Sequence, residues 1–170
     1  MRILATPFIL WALARQQFIL GGWLTGIAAF TDLLDGAVAR RFGGETKFGQ
    51  YLDPIADKIL LSGVYVGLAL GGAIPMWLLA VIFGRDLYIL LLSTAALTLT
   101  QYRELEPSNW GKASTFIQVM TAVGVLAGRG YRDDVLLMVC ESLFWLISAF
   151  AAASAGDYTI RGVRWFQGRR

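Results

Sequence analysis

Long apolar stretches separated by short polar breaks dominate this chain. Ile3–Leu13 is apolar but short. Phe18 to about Ala39 is a second apolar stretch, and Arg40–Phe48 is a polar loop broken at Gly43-Gly44. Gly49–Gly71 is the third, ended by a tight turn at Gly71-Gly72 and Pro75. Pro75–Leu99 is the fourth, followed by a polar loop Gln101–Lys112. Ala113–Gly128 and Val135–Ala155 are the fifth and sixth, joined by a polar turn over Gly130–Asp134. Stretches of about 20 apolar residues are what a helix needs to cross a bilayer. The pattern therefore predicts an all-α integral membrane bundle of six transmembrane helices, in one domain over residues 1–170.

Composition agrees with this reading. The chain is 56% hydrophobic with a mean hydropathy of +0.58, above the range of soluble domains. No linker, low-complexity tract or internal repeat divides it. Cys140 is the single cysteine, so an intramolecular disulfide is excluded, and its apolar surroundings suit a core or lipid-facing position. Histidine is absent, which excludes His-based general bases, His metal ligands and the phospholipase D route to phospholipids.

Loop charges predict the orientation. With the N-terminus inside, Arg2, Arg40, Arg41, Lys47, Arg103, Lys112, Arg161, Arg164, Arg169 and Arg170 share the inner face. Arg15, Arg129 and Arg132 lie outside. This bias places both termini in the cytoplasm, and suits an anionic lipid surface better than nucleic acid. Trp110, Trp145 and Trp165 are expected as interface anchors, and the stretch from Tyr158 to Arg170 as an inner-leaflet anchor. The stripe Gly63-x3-Gly67-x3-Gly71 lets helices approach closely, either within the chain or between two copies.

Against this background stand four carboxylates, Asp32, Asp35, Asp53 and Asp57. Ionisable residues in membrane segments are costly and mark function. The first two are spaced i,i+3 and the last two i,i+4, so each pair shares a helix face. Two such helices side by side would converge four acids on one point. Hard oxygen donors of this kind suit Mg²⁺ or Mn²⁺, and two ions can share such a site. Gly36, Ala39 and Gly49 leave room for a bulky ligand near the backbone, and Arg40 suits a phosphate.

Together these residues read D32-x2-D35-G36-x2-A39-R40-x8-G49-x3-D53-x3-D57, which resembles the signature of the CDP-alcohol phosphatidyltransferase family. The resemblance implies that family's helical bundle, with the active site at the cytoplasmic ends of the second and third spans. It implies transfer of a phosphatidyl group from CDP-diacylglycerol to an alcohol with release of CMP. By the same resemblance Asp32, Asp35, Asp53 and Asp57 would hold metal, with Asp57 also the catalytic base. Asp32, Gly36, Ala39, Arg40 and Gly49 would bind the CDP moiety. A homodimer in a bacterial inner membrane is implied as well. Family members carry an N-x2-T-x2-R-like stretch before the first span. Only Arg2 matches its arginine, so the N-terminus is expected to be truncated.

L52-D-P-I-A-D-K58 and G111-K-x2-T-x2-Q118 resemble the phosphatidylglycerophosphate synthase and eukaryotic-type cardiolipin synthase branches. Glycerol-3-phosphate is the first expected acceptor and phosphatidylglycerol the alternative, with Arg85, Arg103 and Lys112 as acceptor-binding cations. Gly84-Arg85-Asp86 resembles cardiolipin synthase. Ser93 stands where many phosphatidylglycerophosphate synthases have a second arginine. A membrane ion transporter using the four acids is the reading from another class. It leaves Gly36, Ala39, Arg40 and Gly49 at their spacing unexplained.

Overall fold

The computed structural model describes the backbone of residues 2–42, 47–100 and 109–167. Within these, the side chains of 33, 35–42, 47–55, 93, 95–100, 109 and 161–167 lie outside the description. The described residues form six helices and no strand: α1 Arg2–Ala14, α2 Phe18–Phe42, α3 Lys47–Leu70, α4 Met76–Thr100, α5 Asn109–Tyr131 and α6 Asp134–Gln167. The helix count matches the hydropathy pattern, but several ends differ. Helix α2 runs through Arg40 and Arg41, and α5 already includes Lys112, both read from sequence as loop. Helix α6 continues past Ala155 to Gln167. Hydropathy marks where apolar surface ends, whereas a helix ends only where its hydrogen bonding is interrupted.

Three turns end in one device. Gln16, Gly72 and Arg132 take left-handed φ values of 61°, 71° and 58°. After α1, the Gln17 N–H bonds the Ala12 carbonyl at 2.9 Å and the Gln16 N–H bonds Leu13 at 2.9 Å. After α3, Ala73 reaches Leu68 at 2.8 Å and Gly72 reaches Ala69 at 3.1 Å. These are Schellman caps, which satisfy the last carbonyls of a helix. Asp133 then caps α6, accepting the Leu136 N–H at 3.0 Å.

Among the described residues, 134–160 is the one helical stretch long and apolar enough to cross a membrane, with mean hydropathy 2.1. Only 22% of its apolar window is buried within the chain, unlike the core helix of a soluble protein. Helix α1 has 13 residues, about 20 Å of rise against a hydrocarbon core about 30 Å thick, in line with the short apolar stretch read there from sequence.

The chain divides into two compact units. The first comprises Met1–Pro75 and Ala122–Met138, the second Met76–Thr121 and Val139–Arg170. In the first, α1 packs along both α2 and α3. Ile9, Ala12 and Leu13 of α1 and Val64, Tyr65 and Leu68 of α3 are buried there. The glycine stripe explains this close approach. A Cβ on Gly67 would lie 2.8 Å from Leu13 Cβ, one on Gly63 would strike Thr6 Cγ2, and one on Gly71 the Leu13 carbonyl oxygen. The stripe therefore serves packing within the chain.

The second unit has a mixed core. Leu78, Ile82, Phe144, Ile147 and Ala151 are buried, and so are Ser114, Gln118 and Ser154. Trp77 packs on Trp145 with centroids 5.3 Å apart, and Trp110 on Phe150 at 5.6 Å. Trp145 lies near the middle of the 134–160 stretch, away from the position expected of an interface anchor. Cys140 is buried in the core.

Candidate functional site

Asp32 lies on α2 and Asp57 on α3, twenty-five residues apart in sequence. The fold brings them to one point. Both carboxylates pair with the guanidinium of Arg2 on α1, Asp32 through Nη2 and Asp57 through Nη1. The Arg2 side chain is 8% exposed, while Asp32 is 35% and Asp57 66% exposed. A buried cation thus sits behind two carboxylates that still face outward.

Helix α1 positions that cation. Arg2 lies in its first turn, where the Thr6 hydroxyl donates to the Arg2 carbonyl at 3.0 Å. Thr6 in turn packs against Gly63, so the α1–α3 seam fixes the height of Arg2 along α3. A guanidinium presents its donors as a planar fork, which lets one side chain serve carboxylates from two helices.

The sequence predicts convergence of acids from the second and third spans, and Asp32 and Asp57 do converge. The backbones of Asp35, Gly36, Ala39 and Arg40 belong to α2, and those of Gly49 and Asp53 to α3. Their side-chain positions lie outside the described residues. Among the described residues no three acids cluster as a metal site. The pair that is described fits a hard cation in chemistry: two carboxylates from separate helices, already meeting on one positive group.

What sequence reasoning missed is the burial and pairing of Arg2. The sequence presents it as an inner-face cation and as the match to the arginine of the family's N-terminal stretch, and neither reading gives its two acidic partners. The available signal was an arginine in an apolar first helix, which needs partners if it is buried.

The acceptor-side residues are placed differently. Arg85 on α4 is 11% exposed and donates to Asp86 Oδ1 at 2.8 Å and Ser154 Oγ at 3.0 Å. Its Nε is buried and has no hydrogen-bond partner among the described residues. A Cβ on Gly111 would come within 3.1 Å of Arg85 Nη2, so the glycine makes room for this side chain. Lys112 is exposed on α5. Arg103 lies outside the described residues.

Residues 1–155 match the model of the CDP-alcohol phosphatidyltransferase family. The chain is 32% identical to a probable cardiolipin synthase (CMP-forming) of Drosophila melanogaster, over 94% of its own length and 54% of the relative's. It is 34% identical to a probable phosphatidylglycerophosphate synthase of Mycobacterium tuberculosis, over 81% of its length and 63% of the relative's. It is 30% identical to the CDP-diacylglycerol--glycerol-3-phosphate 3-phosphatidyltransferase of Bacillus subtilis, over 81% of its length and 70% of the relative's. The chain thus spans roughly half to two-thirds of the first two relatives' length. With the motif from Asp32 to Asp57 inside the matched region, the chain belongs to the CDP-alcohol phosphatidyltransferase family.

Proposed function

We propose that this protein transfers a phosphatidyl group from CDP-diacylglycerol to glycerol-3-phosphate, giving phosphatidylglycerophosphate and CMP. The observation that carries the reading is the meeting of Asp32 and Asp57 within a complete family motif. The names of the Mycobacterium and Bacillus relatives support the same acceptor.

Asp32, Asp35, Asp53 and Asp57 are the proposed ligands of Mg²⁺ or Mn²⁺, in a site for two ions. When bound, such ions neutralise the pyrophosphate and stabilise the leaving CMP. Asp32, Gly36, Ala39, Arg40 and Gly49 hold the CDP moiety, the small residues giving room and Arg40 a charge for phosphate. Asp57, exposed at the site, accepts the proton of the acceptor hydroxyl. The acceptor oxygen forms its bond to the phosphatidyl phosphorus as the bond to the CMP oxygen breaks, and CMP departs with that electron pair. Arg85, Arg103 and Lys112 are the proposed cations for the acceptor phosphate.

The setting that suits this chemistry is a bacterial inner membrane. A single domain of six transmembrane helices would have both termini and the active site on the cytoplasmic side, where nucleotide-activated lipid headgroups lie. Two copies are proposed to form a homodimer. Phosphatidylglycerol is the alternative acceptor, favoured by Gly84-Arg85-Asp86 and by the name of the Drosophila relative.

The test is CMP release by the purified chain from CDP-diacylglycerol and Mg²⁺, with glycerol-3-phosphate, phosphatidylglycerol, serine or inositol phosphate offered in parallel. Release with glycerol-3-phosphate alone is expected. Release with phosphatidylglycerol alone would move the assignment to cardiolipin synthesis, and release with neither would overturn both readings.

A further inference from the structure

The pairing of Arg2 goes beyond the motif. Its guanidinium stands at the point where Asp32 and Asp57 meet, the point the proposed divalent ion needs. Arg2 is nearly fully buried, and a guanidinium taken out of water is costly unless it is paired. It therefore needs anionic partners wherever the metal is absent. The two acids, for their part, need a cation to offset their mutual repulsion.

We infer that Arg2 is the resident counter-ion of the metal-free site, holding Asp32 and Asp57 together until a divalent cation takes over those carboxylates. The inference rests on the reading of Asp32 and Asp57 as metal ligands. It assigns Arg2 a positioning role, exerted through the two acids and not on the reacting atoms. Two consequences follow from simple charge competition. The guanidinium opposes metal binding, because the ion must displace a partner of the same sign. It also protects the metal-free fold, because it offsets the repulsion between the two acids.

The competition has a mechanical link. Arg2 is carried by α1, and the seam of Thr6 and Leu13 against Gly63, Gly67 and Gly71 sets where α1 lies on α3. Thr6 also bonds the Arg2 carbonyl, which anchors the backbone of Arg2 at the start of α1.

The experiment is Mn²⁺ binding to the full chain in detergent micelles after chelator stripping, read by the loss of the free-ion paramagnetic resonance signal. Wild type, Arg2→Gln and Arg2→Lys are compared, with unfolding temperatures recorded in chelator and in saturating Mn²⁺. Arg2→Gln is expected to bind Mn²⁺ about tenfold tighter, a change of the size that partners of metal ligands produce. Its unfolding temperature should fall in chelator and recover with Mn²⁺ more than wild type does. Arg2→Lys keeps a charge but loses the fork, and should fall between. If Arg2→Gln does not fold, tighter binding by Arg2→Lys supports the inference and unchanged binding overturns it. Equal or weaker binding by Arg2→Gln overturns it while leaving the metal reading intact. Wild type without a Mn²⁺ site overturns the metal reading and the inference together.

Discussion

Two arginines, the buried Arg2 and the partly buried Arg85, one in each unit, are satisfied in opposite ways. Arg2 joins carboxylates from α2 and α3 that are distant in sequence and remain open to the outside. Arg85 closes on its own neighbour Asp86 and on Ser154 of α6, both inside its unit. The first arrangement gathers groups from separate helices and leaves them reachable by a ligand. The second ties α4 to α6 as a polar crosslink in a core that also buries Ser114 and Gln118. An arginine in an apolar helix is thus no sign of function by itself. The outward exposure of its partners, not their distance along the chain, is what differs between the two.

The largest expected effect breaks the site without breaking the unit. Asp57→Asn should lower CMP release by about 10²- to 10⁴-fold, the usual share of a general base. Circular dichroism of the variant should stay that of the wild type. A helical signal lost along with activity would instead make Asp57 a structural residue.

Next is the seam that carries Arg2. Gly71→Ala puts a methyl group against the Leu13 carbonyl, a backbone atom that has little room to yield. Overpacking of this kind costs about 1–3 kcal/mol. The midpoint of chemical denaturation should fall accordingly. Gly84→Ala, whose Cβ meets nothing within 4 Å, should stay within about 0.5 kcal/mol of wild type.

The Arg85 crosslink gives a smaller effect. Ser154→Ala removes one acceptor from Arg85 and should cost about 0.5–1.5 kcal/mol, read as a lower unfolding temperature. Mn²⁺ affinity should not change, which separates this arginine from Arg2. Smallest is the turn after α1. Gln16 holds a left-handed φ of 61° without being glycine, and Gln16→Gly should stabilise by up to about 1 kcal/mol in the same melt.

The hydropathy pattern located all six helices because burial and lipid exposure both demand apolar side chains. It located their ends less well. The stretch after Ala155 contains no proline, so α6 runs through Gly156 and Gly162 to Gln167 although the sequence has turned polar. Gly71-Gly72 announced its turn, since glycine adopts the left-handed conformation freely. The turn at Gln16 used the same geometry with no glycine to announce it. For the site, motif spacing placed Asp32 and Asp57 on helix faces that do converge. Arg2 was legible as a charge near the membrane face and as a match to a family arginine, but not as the partner of Asp32 and Asp57, because its pairing depends on how α1 lies against α2 and α3. That packing follows from Gly63, Gly67 and Gly71, whose use within the chain or between copies is a tertiary matter.

The central claim is that Asp32 and Asp57 form one cation-dependent phosphatidyl-transfer site. The most direct measurement is CMP release from CDP-diacylglycerol and glycerol-3-phosphate by chelator-stripped protein, titrated with Mg²⁺, for wild type and Asp32→Asn. The account predicts no release without Mg²⁺, recovery on its addition, and no recovery in Asp32→Asn at any Mg²⁺ concentration. Release that persists in chelator, or that Asp32→Asn supports as well as wild type, would contradict it.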